Sequence, residues 1–474
     1  MDVHITLQGR KNLSGEIYRQ LRRAIVDGRL RPGGLLPPTR HLAERLNVAR
    51  MTVTVAYEHL IAEGFVVSRV GAGTFVAEDV GHRRPAAAPK YEGVLRPRAV
   101  WNGIALPTVF AMPATYDFRT GLPEASWFPH RVWRLLLVRA MRAPEVAGGV
   151  YQDPAGLPSL RAAIANHVAL ARGVNSRVDD VLVTNGTQQA LDLIARVLLA
   201  PGDVIAVEDP GYQLSCRLFA SLGLRVVGVR VDEQGLVVDS LPRRARAVYV
   251  TPSHQFPLGV AMSLQRRQAL LTWAENNGSA IIEDDYDSEF RFTGRPLDAL
   301  QSLDVAGRVI HIGSFSKTLL PTLRIGYIVS PPSLHGALCR AKFVSDWHTS
   351  SLVQAALAQF IETGGYARHI RRLNRRYRER HTLMTQTVSR DFADHLELVP
   401  SSTGLHVTAL ARRLSIAQLE AVCARAAEHD VAVRALAGCA VTKPSIPGLM
   451  LAYGAIDLTG ITEGLRRLRR CFPR

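Results

Sequence analysis

Two stretches carry the residues best suited to covalent chemistry: 281–290, reading I-I-E-D-D-Y-D-S-E-F, and 311–327, reading H-I-G-S-F-S-K-T-L-L-P-T-L-R-I-G-Y. The second sets Lys317 among two hydroxyls, Ser314 and Ser316, and a guanidinium, Arg324. A lysine amine condenses with an aldehyde as a Schiff base, and an aspartate beneath a pyridine ring keeps its nitrogen protonated, making the ring an electron sink. Lys317 and Asp284 suit those two tasks. Tyr286 offers a phenol for a 3'-oxygen, and Ser314, Ser316 and Arg324 suit a phosphate dianion, which Arg recognises bidentately. These are the needs of pyridoxal phosphate. An isolated Asp or Lys is more often a solvated loop charge; here four agreeing features weigh against that.

The positioning elements are legible around these residues. The apolar run 280–282 stops at Glu283-Asp284-Asp285, and a second run, 309–312, delivers Ser314, Ser316 and Lys317. Both read as buried parallel strands, whose carboxyl ends open on the ligand crevice of an α/β sheet. Strand 181–183, the turn Asn185-Gly186-Thr187-Gln188 and an apolar-faced helix over 189–199 aim free N–H groups and a positive dipole end at one spot, a natural phosphate site. Strand 204–207 ends at Glu208-Asp209-Pro210-Gly211-Tyr212, and strand 247–250 at Thr251-Pro252-Ser253-His254. The alternation predicts an α/β fold with a mostly parallel sheet covered on both faces. Beyond about 342 the pattern turns to helices, including the arginine-rich 368–380, expected as a solvated face, and short strands such as 405–407: a smaller α+β C-terminal subdomain.

S-F-S-K followed by L-R-I-G-Y, with D-D-Y upstream, resembles the fold-type I aminotransferase site in the form found in MocR-type regulators of the GntR superfamily. The resemblance implies pyridoxal 5'-phosphate as an aldimine on Lys317, with Gly186, Thr187, Gln188, Asp284, Tyr286, Ser314, Ser316 and Arg324 around it and Tyr212 stacked on its ring. It also implies that Tyr151 reaches the phosphate of a neighbouring subunit, hence a homodimer. Two departures stand out. Phe256 replaces the usual asparagine before Pro257, leaving Tyr286 more of the work at the cofactor oxygen. Met450 stands where a substrate-carboxylate arginine is usual, with Arg119 and Arg217 as candidate substitutes.

Near the N-terminus, residues 14–27 space Ile17, Leu21 and Ile25 on one helical face, with Ser14 as N-cap and Gly28 as stop. Helices over 38–46 and 49–63 across Asn47-Val48, then alternating residues around Gly71-Ala72-Gly73, form a helix-turn-helix with a wing. The stretch from L-P-P-T-R to G-A-G-T-F-V resembles the GntR-type winged helix throughout. By that resemblance Arg40 and Arg50 read base edges, an arginine fork suiting guanine. Thr52, Thr54 and Tyr57, on or near the exposed face of the recognition helix, become phosphate or methyl contacts. Arg69, Gly71 and Gly73 form the wing tip near the minor groove.

A chain of 474 residues needs two or more domains. The expected division is a winged helix over 10–79, a linker over 80–115, and an aminotransferase-like domain over 116–474, with a large subdomain at about 150–340 and a small one at about 341–474. Linker residues Arg83, Arg84, Lys90, Arg96 and Arg98 either touch DNA phosphates or are merely solvated. A net charge of +17 points to a polyanion, nucleic acid ahead of a membrane surface. No apolar run reaches transmembrane length and Met1-Asp2-Val3-His4 is unlike a signal peptide, so a cytoplasmic protein is expected. The five cysteines lack C-x-x-C spacing, suggesting neither disulfides nor a metal site. The functional expectation is a transcription regulator that binds operator DNA and senses pyridoxal phosphate, an amine or an amino acid through Lys317. Its rivals are a working aminotransferase with an accessory DNA-binding segment, and a DNA-binding protein using the fold only to dimerise.

Overall fold

The structure is a computed structural model that describes residues 5–7, 12–78, 95–104, 106, 114–294, 298–444 and 446–473. Contacts divide the chain into two units, Met1–Pro97 and Arg98–Arg474. The division falls within the stretch expected as a linker, of which Arg83, Arg84 and Lys90 lie outside the described residues.

The first unit holds α1 (Leu13–Val26), α2 (Thr39–Leu46), α3 (Arg50–Ala62) and the strands β1 (Val66–Arg69) and β2 (Gly73–Val76). Ser14 lies inside the first turn of α1 rather than at its cap, which is Asn12 in the left-handed region. Asn47 takes the same conformation and ends α2, letting the chain turn sharply into α3. Ile17 and Leu21 of α1, Leu42 of α2, and Val53 and Leu60 of α3 close one core, each worth about 1.5–3 kcal/mol. β1 and β2 pair antiparallel, Val66 opposite Val76 and Arg69 opposite Gly73. Gly71 and Gly73 turn the wing at φ 75° and 112°, conformations natural to glycine.

The second unit is built on an eight-stranded sheet. A short β3 (Tyr116–Asp117) lies outside it; within it run β4 (Val181–Thr184), β5 (Val204–Asp209), β6 (Arg225–Asp232), β7 (Gly235–Leu236), β8 (Ala245–Val250), β9 (Ala280–Asp285), β10 (Val309–Ser314) and β11 (Gly326–Val329). Their order is β4-β11-β10-β9-β8-β5-β6-β7. Only β11 and β7 oppose their neighbours, so the sheet is mostly parallel. Both faces are apolar. Leu182, Ile282, Ile310 and Ile328 face the helices Thr187–Leu198, Gln213–Ser221 and Pro332–Asp346. On the other face Val181, Val183 and Val329 pack against His130–Ala140, Pro158–Arg172 and Ser351–Glu362. The expected subdomain boundary near 341 therefore cuts through this core, since Leu357 and Phe360 belong to it.

The smaller subdomain carries a four-stranded antiparallel sheet in the order Leu396–Leu398, His406–Ala411, Gly448–Ala452, Arg434–Ala435. β3 joins this part of the chain by pairing in parallel with Val431–Ala432. The long helix Gly365–Asp391 crosses it, and here the expectation of a wholly solvated arginine face needs correcting. Arg380 is 4% exposed, pairs with Glu124 at 2.9 Å and donates to the carbonyls of Tyr453 and Gly454. It is a structural clamp, and its burial is tolerated because its donors are satisfied. Among the described residues no helix is long and apolar enough to cross a membrane.

Candidate functional site

β9 and β10 run parallel with Asp284 opposite Ile312, so their carboxyl ends open on one cavity. It measures about 590 Å³ and is lined by Thr187, Gln188, Tyr212, Asp284, Tyr286, Ser314, Ser316, Lys317 and Arg324, among others. Residues from four strand ends and one helix start thus meet as the sequence reading required.

Lys317 follows β10, and its Nζ donates to the Gly121 carbonyl at 2.7 Å. Burial holds its amine below the usual lysine range, opposed by Asp287 and Asp284. A depressed amine is more often unprotonated, the form that attacks a carbonyl. Asp284 is 4% exposed and accepts from the Tyr249 hydroxyl at 2.8 Å through Oδ2. Its Oδ1 is buried without a partner, and burial pushes the carboxyl up to about 7 against the Tyr249 hydrogen bond. A buried acceptor left unpaired costs about 1–3 kcal/mol. A pyridinium N–H in the cavity would satisfy it, so the donor set fits pyridoxal phosphate.

The phosphate end is equally specific. Gly186 caps the helix Thr187–Leu198 at φ 82°, and no side chain competes for the N–H groups of its first turn. Arg324 lies directly against it, its Nη2 donating to the Asn185 carbonyl at 2.9 Å. A Cβ on Gly186 would come within 3.0 Å of that nitrogen. Ser314 Oγ accepts from the Ser316 backbone N–H at 3.1 Å, and the Gln188 amide donates to the Tyr212 hydroxyl at 3.2 Å.

The Tyr286 oxygen lies 3.0 Å from His254 Nδ1, which also faces both oxygens of Asp287 at 3.0 and 3.1 Å. A carboxylate only accepts, so Nδ1 is assigned the proton. The phenol oxygen then accepts from it, leaving the Tyr286 hydrogen free for the cavity. Asp287, His254 and Tyr286 thus form a chain that aims the phenol, work that the resemblance left to Tyr286 alone. Phe256 lines the cavity edge-on to Tyr212 and Tyr286. His406 stands nearby, its Nε2 3.0 Å from the Pro257 carbonyl; the ligand atoms of His254, Asp287 and His406 lie within 4.8 Å of one another. Sequence reasoning missed His254, Asp287 and His406, although His254 follows a strand end as Tyr212 does.

Other expected residues lie elsewhere. Tyr151 does not line the cavity; it is 72% exposed and stacks on Trp347 at 4.1 Å. Of the two candidate substitutes for an arginine at 450, Arg119 is engaged with Asp117 at 2.6 Å and is not among the lining residues, whereas Arg217 is.

In the winged helix Arg40 is exposed on α2 and pairs with Glu44 at 3.2 Å. Arg50 opens α3, exposed, with its Nε donating to Thr39 Oγ1 at 3.3 Å. Thr52 and Thr54 are half-buried, and the Thr54 hydroxyl bonds back to the Arg50 carbonyl. Tyr57 requires correction: it is 3% exposed and donates to the Pro37 carbonyl at 2.7 Å. It packs with Val53, Ala56 and Leu60, the inward face of α3, so it anchors the helix rather than lying on the reading face. Arg69 is exposed at the wing, its guanidinium 5.1 Å from the centre of the Phe75 ring.

Residues 142–450 match the family described as aminotransferase class I and II, and residues 13–76 that described as bacterial regulatory proteins, gntR family. The chain is 38% identical over 471 residues to the probable rhizopine catabolism regulatory protein MocR of Rhizobium meliloti, covering 96% of this chain and 93% of that one. It is 32% identical over 395 residues to the pyridoxine biosynthesis transcriptional regulator PdxR of Corynebacterium glutamicum, covering 83% and 82%. Among solved structures it resembles LysN, the α-aminoadipate aminotransferase of Thermus thermophilus complexed with N-(5'-phosphopyridoxyl)-L-leucine. That likeness has a TM-score of 0.69 and 30% identity, covering 75% of this chain and 91% of the other. The multiple substrate aminotransferase of Thermococcus profundus gives a TM-score of 0.73 at 27% identity, covering 79% and 96%.

Proposed function

We propose, from the premise that this chain belongs to the MocR-type regulators of the GntR superfamily, that it binds operator DNA through its winged helix and senses a small molecule through Lys317. The ligand is pyridoxal phosphate itself or an amine or amino acid that meets it. One observation carries the reading: the Lys317 amine, the unpaired Asp284 oxygen and an uncapped helix start beside Arg324 share a single cavity. Bound there, pyridoxal phosphate supplies an aldehyde that condenses with primary amines. Thr187, Gln188, Ser314, Ser316 and Arg324 would hold the phosphate, Asp284 the ring nitrogen, Tyr286 the ring oxygen and Tyr212 the ring face. Lys317 holds the aldehyde carbon and yields it to an incoming amine.

A homodimer suits the surface. Val132, Leu135 and Val138 lie exposed along the helix His130–Ala140, and Tyr151, Phe343 and Val344 are exposed as well. Apolar groups left in water invite a partner, and a second copy would bring Tyr151 to its neighbour's phosphate. A regulator of this kind works beside its operator, in the cytoplasm.

A working aminotransferase remains a second reading, favoured by the complete cavity and by the solved aminotransferases the chain resembles. Steady turnover of an amine with a keto acid would establish it. The first test is spectroscopic: purified protein supplied with pyridoxal phosphate should absorb in the visible region, and borohydride should fix the cofactor on Lys317. A Lys317→Ala variant with an unchanged spectrum would sink the proposal.

A further inference from the structure

Four cationic side chains line the cavity, Arg217, Lys317, Arg324 and Arg434. In the reading above Lys317 serves the aldehyde and Arg324 the phosphate. Arg434 has no such task. It lies on the short strand Arg434–Ala435 of the smaller subdomain, directly opposite Met450 on Gly448–Ala452. Directly opposed residues on paired strands present their side chains to one face, and both line the cavity.

Their environments differ. Met450 is 2% exposed, its Sδ 3.8 Å from Cys439 Sγ, in an apolar cluster with Leu258, Val260 and Leu436. A thioether there offers an anion nothing. Arg434 is exposed and makes no hydrogen bond or ion pair among the described residues. The backbone beyond it is pinned to the large subdomain: Gln213 donates to the carbonyls of Cys439 and Ala440, and Asp209 accepts from Val441 and Thr442. An unpaired guanidinium is therefore carried into the cavity from a fixed support, one strand over from a side chain that cannot do its work.

We propose that Arg434 binds the acid group of the effector, which is accordingly an amine bearing a carboxylate or sulfonate, its nitrogen at Lys317 and its anion on Arg434. The inference rests on the proposed role of Lys317. Leu214, Phe256, Leu405 and Met450 also line the cavity and are apolar, so a simple alkylamine would leave the guanidinium unanswered, whereas an acid group meets a fork built for it.

The test uses full-length protein loaded with pyridoxal phosphate. Glycine, β-alanine, 4-aminobutanoate, 5-aminopentanoate and taurine are titrated beside n-alkylamines of matched length, following the visible band, in wild type, Arg434→Gln and Arg434→Lys. At least one acid should bind about tenfold or more tighter than its matched alkylamine in wild type, and Arg434→Gln should lose that factor, about 10- to 100-fold, the range of a charge-assisted hydrogen bond. Alkylamine binding should stay unchanged, and Arg434→Lys should recover part of the loss. Taurine against β-alanine distinguishes sulfonate from carboxylate. The proposal is overturned if wild type shows no preference for acids, or if Arg434→Gln weakens acids and alkylamines alike. A wild type without a visible band would instead bring down the Lys317 reading, and the role of Arg434 with it.

Discussion

Asp284 ties the protonation of the site to the stability of the fold. Its carboxyl rises from the ordinary 3.8 to about 7 because burial penalises the charge, with the Tyr249 hydroxyl opposing. A folded pKa above the unfolded one means that the folded protein holds a proton the unfolded chain has lost. Stability therefore falls as pH rises from about 4 to about 7 and then levels. In cofactor-free protein, Asp284→Asn should be the more stable form at pH 8, by up to about 4 kcal/mol, and the advantage should vanish near pH 4. Thermal melts at both values check it; an equal difference at each would mean that Asp284 titrates normally. At this scale the sequence was most legible where partners lie close along the chain, as Lys317 does to Ser314, Ser316 and Arg324. Tyr57 was misplaced for want of a period check: Val53, Ala56, Tyr57 and Leu60 recur at helical spacing and mark an inward face. His254 and Asp287 were missed because their partnership spans 33 residues and exists only once β8 and β9 lie side by side.

Among the elements, the turn from β4 into the helix Thr187–Leu198 carries a sharp constraint. Gly186 sits at φ 82° with Arg324 where a methyl group would go. Gly186→Ala should strain the backbone by about 1–3 kcal/mol and displace the guanidinium. Affinity for pyridoxal phosphate should fall about tenfold or more while melting of the winged-helix unit is unaffected; equilibrium dialysis against the cofactor reads the first. In that unit Arg40 on α2 and Arg50 at the start of α3 remain the expected readers. Releasing Arg40 from Glu44 costs little, since an exposed pair is worth about 0–1 kcal/mol. If each makes a bidentate base contact, replacement by alanine should cost about 1–3 kcal/mol and relax preference at one base pair. A uniform loss on all sequences with a shallower salt slope would show phosphate contacts instead. Strands and helices were readable because each repeats its pattern locally. The pairing of Arg434 with Met450 was not, since the register between two short strands is set by packing and leaves no local mark.

For the whole molecule the question is how an occupied cavity reaches DNA. A ligand shifts operator affinity only by its differential affinity for DNA-competent and incompetent states, typically about 1–3 kcal/mol. The structure contains an element able to differ between such states: the seam where Asp209 and Gln213 of the large subdomain hold residues 439–442 of the small one. Lys317 and Arg434 stand on opposite sides of it, so an effector engaging both would tighten the seam, and loss of either end would leave it as it was. In a homodimer two winged helices must match two half-sites, and any change transmitted from the subdomains would alter that match. The operator should accordingly contain direct or inverted repeats. Pyridoxal phosphate or an amine effector should change DNA affinity in wild type by about 5- to 150-fold and leave Lys317→Ala unchanged. Titrating labelled operator DNA with and without ligand, at fixed salt because phosphate contacts make affinity salt-dependent, reads the effect directly. An identical response in wild type and variant would leave the lysine without a part in signalling and place the switch elsewhere in the chain.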